Sequence, residues 1–87
     1  MIIKVFWQQS CPTCPPAKRL GAELAAEGHN VEYHDIKDVE GLTQAIRYDI
    51  KATPSIVIAD QKNNEIISFR STVPTLEEIR SYLDVTD

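Results

Sequence analysis

Apolar and polar positions alternate along this chain in two kinds of block. "IIKVFW", Ile2 to Trp7, is a β-branched and aromatic run broken only by Lys4, the pattern of a strand covered on both faces. Beyond a stretch that holds two cysteines, Ala17, Leu20 and Leu24 recur at helical spacing until Gly28, a residue suited to the left-handed turn that ends helices. "VEYHDI", Val31 to Ile36, mixes polar and apolar residues as a partly exposed edge strand does. Val39, Leu42, Ile46 and Ile50 mark a second, short helix, with Gly41 weakening its first turns. "PSIVIA", Pro54 to Ala59, reads as another interior strand, "DQKNN" as a turn, and "EIISFR", Glu65 to Arg70, as a patterned strand close enough behind to form a hairpin. Thr75 and Glu78 then form a capping box ahead of a buried stripe of Leu76, Ile79 and Leu83.

The resulting order is βαβαββα. Two strongly apolar strands in the middle and two mixed ones at the edges predict an α/β fold, a four-stranded mixed sheet flanked by helices. At 87 residues the chain is expected to form one domain over residues 1–87. Its net charge of −4 offers no basic footprint for nucleic acid or for an anionic membrane surface, so neither is expected as a partner. "MIIKVFWQQ" has no long apolar segment followed by small residues, and no stretch has the length of a membrane span. A cytoplasmic location is the expectation.

Both cysteines and three of the five prolines fall within "SCPTCPP", Ser10 to Pro16. In a reducing compartment, two cysteines separated by two residues point to catalysis or metal binding more than to a structural disulfide. Cys11 and Cys14 with His29 and His34 formally match a Cys2His2 zinc spacing. Such a site needs both histidines on one helix face, whereas His29 falls in a turn and His34 in a strand, so no metal site is expected. If Cys11 caps the first helix, Pro12 takes the first helical position, where its missing N–H costs nothing. The amides of Thr13 and Cys14, with the helix dipole, then favour a thiolate at Cys11 and make it the nucleophile. Cys14, one turn in, is placed to resolve a mixed disulfide. Pro15 and Pro16 lack the N–H groups that would bond the carbonyls of Cys11 and Pro12, so this register predicts a distorted first turn.

"FWQQSCPTC", "ATPSIVI" and the βαβαββα order together resemble the thioredoxin and glutaredoxin superfamily over nearly the whole chain, in particular its small glutaredoxin-like thioredoxins. "CPTCPPAKRL" is similar to a glutaredoxin cysteine helix, and "FRSTVPTLEEIRSYL" to the end of a thioredoxin. The resemblance implies the thioredoxin fold and a protein disulfide oxidoreductase whose redox-active disulfide joins Cys11 and Cys14. It implies a cis bond before Pro54, with Thr53 offering its backbone to an extended substrate, and Trp7 shielding the dithiol. With Pro12 and Thr13 these residues make the expected substrate-binding surface. No cofactor is implied.

The departures matter equally. The buried acid that thioredoxins carry six residues before the first cysteine is Val5 here. The tyrosine and the Gly-Gly of glutathione-using glutaredoxins are Thr13 and "STVP" here, which predicts weak glutathione binding. Expected partners are therefore disulfide-containing proteins and a thioredoxin-reductase-like electron donor. The competing reading is a non-enzymatic binding module, a redox sensor or a metal or cluster carrier.

Overall fold

Extended backbone suits the β-branched side chains of Ile2, Ile3 and Val5, and β1 (Ile2–Trp7) runs through them. The computed structural model describes residues 1–84. After β1 come α1 (Cys14–Ala26), β2 (Asn30–Asp35), α2 (Val39–Arg47), β3 (Ser55–Ala59), β4 (Glu65–Arg70) and α3 (Leu76–Asp84). The sheet order is β2-β1-β3-β4. β1 pairs parallel with β2 and antiparallel with β3, and β3 pairs antiparallel with β4. The interior strands are the two with near-continuous apolar sequence, and the mixed strands lie at the edges.

Alternate residues of a strand face opposite sides of a sheet, and here they feed two cores. Ile3, Val5, Ile56 and Ile58 pack with Ala17, Leu20 and Leu24 of α1 and Ile79 and Leu83 of α3. Phe6 and Val57 face the other way, onto Ala45, Tyr48 and Ile50 around α2. Lys4 shares that second side and is only 2% exposed. Its ammonium bonds Glu32 Oε1 on β2 at 2.8 Å and Gln44 Oε1 on α2 at 3.4 Å, so a charge in an apolar strand survives by being paired.

The helix ends follow local chemistry. Gly28 sits at φ 93°, with its N–H on the Ala25 carbonyl and that of His29 on the Leu24 carbonyl, the paired bonds of a Schellman motif. The capping box of α3 is formed: Glu78 N–H donates to Thr75 Oγ1 at 3.1 Å and Thr75 N–H to Glu78 Oε1 at 3.2 Å.

Two expectations need correction. α1 begins at Cys14 with Thr13 as its cap, not with Cys11 as cap and Pro12 at the first helical position. Pro15 and Pro16 therefore fall in the first turn, where a missing N–H has no partner to lose, and no distortion is required. The second concerns the face of α2. Val39 and Ile46 are 82% and 71% exposed, and Leu42 is also exposed. Gly41 and Ala45 face the sheet instead. A Cβ on Gly41 would lie 1.8 Å from the Asp35 carbonyl oxygen, so this glycine permits the close approach of helix and strand. Ile50 lies beyond the helix, as the buried residue after a left-handed Asp49 at φ 55°.

Candidate active site

Between β1 and α1 the chain turns twice, with Cys11 N–H on the Gln8 carbonyl and Cys14 N–H on the Cys11 carbonyl, each at 3.3 Å. The second bond caps the very carbonyl that the prolines leave without an α-helical donor. It also commits the Cys14 amide. Since Pro12, Pro15 and Pro16 have none, the Thr13 amide is the one unpaired backbone donor between the cysteines among the described residues. The Thr13 hydroxyl lies 3.7 Å from Cys11 Sγ.

Cys11 and Cys14 are joined by a disulfide, with Cα atoms 5.4 Å apart. Cys11 is 9% exposed and Cys14 1%, so the first cysteine is the less buried of the two. Trp7, at the end of β1, lines a cleft with both cysteines. Pro12 and Thr13 are exposed in the turn between them.

Thr53 enters from across the sheet. Gln8 Nε2 donates to Thr53 Oγ1 at 2.9 Å, tying the loop before the cysteines to the loop before β3. The Thr53–Pro54 peptide bond is cis, the isomer that the resemblance implies. Its neighbour Ser55 is fully buried, donates to the Ala52 carbonyl at 2.7 Å and accepts from Ser71 N–H at 3.2 Å. Arg70 donates to the carbonyl of Tyr48 at 2.8 Å, fastening the C-terminal end of α2 where a cation is favoured by the helix dipole. The segment bearing Thr53 and Pro54 is thus held at both ends.

Three residues missed in the sequence reading contribute here: Gln8, Ser55 and Lys18. Lys18 places Nζ 3.2 Å from the centroid of the Trp7 ring and borders the same cleft as the cysteines. Its position one helical turn after Cys14 was the available signal. For Gln8 and Ser55 the sequence offered none, because Thr53 lies 45 residues from Gln8 and Ser71, one of the two partners of Ser55, lies 16 residues from it.

Val5 is fully buried in the cluster that holds Ala17 and Ile79, and among the described residues the buried polar side chains, Lys4 and Ser55, include no acid. Lys4 is on the opposite side of the sheet and does not take the acid's place. There, burial would raise the Glu32 pKa, but hydrogen bonds from Lys4 and His34 outweigh it and hold the carboxyl below its ordinary value. His34 Nε2 lies 2.9 Å from the same Glu32 oxygen, and its ring stacks on Phe6 with centroids 5.3 Å apart. His29 precedes β2 and His34 lies within it. Among the described residues, no three His, Cys, Asp or Glu side chains converge as a metal-ligand set.

A thioredoxin domain model matches residues 1–84. A thioredoxin of Methanocaldococcus jannaschii is 42% identical over 57 residues, which span 64% of this chain and 67% of that protein. A probable thioredoxin of Archaeoglobus fulgidus is 29% identical over 62 residues, 70% of this chain and 68% of the relative. Among solved structures, a thioredoxin-like protein from Clostridium perfringens superposes with a TM-score of 0.81 at 20% identity, covering 97% of this chain and 68% of the other. Thioredoxin 1 from Thermosipho africanus gives 0.70 at 20% identity, covering 99% and 98%. No helix among the described residues is long and apolar enough to cross a membrane. With the family model spanning nearly the whole sequence and the cysteine pair linked at the start of α1, the chain belongs to the thioredoxin family.

Proposed function

We propose that this protein is a single-domain thiol–disulfide oxidoreductase that reduces protein disulfides through Cys11 and Cys14. The observation that carries the reading is the disulfide between two cysteines of unequal exposure at the start of a helix. In the reduced protein the Cys11 thiolate attacks one substrate sulfur, forming a mixed disulfide and expelling the other substrate sulfur as a thiolate. Cys14, deprotonated, then attacks Cys11 Sγ. The Cys11–Cys14 bond forms, the mixed disulfide breaks, and the second substrate thiol leaves. Two electrons pass from the dithiol to the substrate, and a protein reductase of the thioredoxin-reductase kind returns them.

Trp7, Pro12, Thr13, Thr53 and Pro54 form the substrate surface in this reading. The Gln8 bond to Thr53 supports it, because that bond couples the cysteine loop to the segment whose backbone an extended substrate would pair with. A reducing cytoplasm suits a chain whose two cysteines are both in this motif. Ser71 to Pro74 stand where a Gly-Gly would favour glutathione, so the protein reductase is the proposed donor.

The test is reduction of insulin by dithiothreitol, followed by turbidity. The native chain accelerates precipitation, and Cys11→Ser abolishes the acceleration. A native chain no faster than dithiothreitol alone would discard the enzymatic reading in favour of a binding module.

A further inference from the structure

The cleft beside the disulfide has a volume of about 260 Å³, below the roughly 300–1,000 Å³ of small-molecule pockets. It suits a single side chain. Trp7, Gln8, Gln9 and Pro15 border it together with both cysteines, and Lys18 is the one charged residue in its lining.

Among the described residues Lys18 is one of five cations without an ion pair, with Arg19, Lys37, Arg47 and Lys62, and the one of them that borders the cysteine cleft. Lys4, Lys51, Arg70 and Arg80 pair with Glu32, Asp49, Glu65 and Glu27 respectively. Among the described residues the Lys18 ammonium has no carboxylate or carbonyl partner, only the face of Trp7 at 3.2 Å. Cation–π attraction fixes the ammonium through the ring's negative face. It leaves the N–H donors that point away from the ring available to an acceptor. An ammonium is thereby held, half-buried and unneutralised, beside the two reacting sulfurs of a chain whose net charge is −4.

We propose that Lys18 is a specificity-determining residue that selects disulfides flanked by an acidic side chain, the carboxylate of an Asp or Glu next to the substrate's half-cystine entering this cleft. The inference rests on the oxidoreductase reading given above. Trp7 acts as the platform that orients the ammonium.

Three peptide disulfides identical except for Glu, Gln or Lys beside the half-cystine provide the test, with oxidised glutathione run in parallel as a small carboxylate-bearing disulfide. Values of kcat/KM are measured at low salt for the native chain and for Lys18→Gln, Lys18→Arg and Lys18→Glu. Each partly exposed charge contact changes binding about two- to threefold, so attraction and repulsion together give the native chain a Glu-over-Lys preference of about fourfold to ninefold. Lys18→Gln brings the ratio to near one, Lys18→Arg keeps it, and Lys18→Glu inverts it.

Equal rates on all three peptides in the native chain, or a preference that survives Lys18→Gln, would overturn the selection while leaving the oxidoreductase reading intact. A Lys18-dependent rate seen only with oxidised glutathione overturns the peptide assignment as well. Failure to reduce even the Gln peptide removes the oxidoreductase reading and this inference with it.

Discussion

Lys4 is a charge placed inside an apolar strand, and its cost can be measured from both ends of its ion pair. The lysine side chain is 3% exposed and Glu32 is 37% exposed, with 2.8 Å between Nζ and Oε1. Glu32→Gln keeps an oxygen for the ammonium but removes the countercharge. Breaking a fully buried pair costs about 3–5 kcal/mol, and an exposed one about 0–1 kcal/mol. Because the carboxylate is more than a third exposed and screened by water, we expect about 2 kcal/mol. Lys4→Met removes the buried charge itself and leaves Glu32 hydrated and bonded to His34. Its expected effect lies within about 1 kcal/mol of zero, in either direction. Urea unfolding at pH 7 reads both variants through their midpoints at constant m-value. A cost for Lys4→Met equal to that for Glu32→Gln would refute the reasoning, since it would mean that the contact and not the unpaired charge sets the penalty. The pH dependence has a defined sign. The folded-state pKa of Glu32 lies below its ordinary 4.5, so its contribution is complete above that value and is lost as pH falls through the lower folded-state value. The stability gap between the native chain and Glu32→Gln therefore closes on acidification from neutrality to below 4.5.

Gly41→Ala would put a methyl carbon 1.8 Å from the Asp35 carbonyl oxygen, and unyielding backbone makes the expected cost about 2–4 kcal/mol despite alanine's better helix propensity. A neutral alanine in urea titration would contradict that packing. Asp49→Gly relieves a left-handed residue at φ 55° and is expected to stabilise by about 1 kcal/mol, a rise in Tm of about 4–8 °C; an unchanged Tm would count against it. Thr13→Val removes the hydroxyl 3.7 Å from Cys11 Sγ. Iodoacetamide alkylation of reduced Cys11 at neutral pH should then slow about threefold or more, while Thr13→Ser preserves the rate. Equal rates in all three proteins would dismiss the hydroxyl as a thiolate donor.

The legible parts of the sequence were those governed by local rules. β1 and β3 announce themselves because a strand buried on both faces needs apolar residues at nearly every position, and Gly28 and Thr75 because helix ends need particular side chains. The face of α2 was hidden. Val39, Leu42 and Ile46 have the spacing of a buried stripe, yet the sheet-facing residues are Gly41 and Ala45, chosen for smallness by the nearness of β2. Periodicity finds a helix, but contact distance decides its orientation. The start of α1 was ambiguous because prolines on either side of Cys14 suit a first turn. At the candidate site, the spacing of Cys11 and Cys14 pointed to the chemistry, and the cis bond before Pro54 came only through the resemblance. Lys18 was marked only by its place one helical turn after Cys14, and Gln8 meets Thr53 across 45 residues, where no local pattern operates.

The roles assigned to the two sulfurs can be read directly by trapping. Cys14→Ser, reduced and mixed with a peptide disulfide, should accumulate a covalent adduct on Cys11 detectable by mass spectrometry, whereas Cys11→Ser should accumulate none. An adduct on Cys14 in the Cys11→Ser protein, or no adduct on Cys11 in the Cys14→Ser protein, would contradict the proposed order of attack.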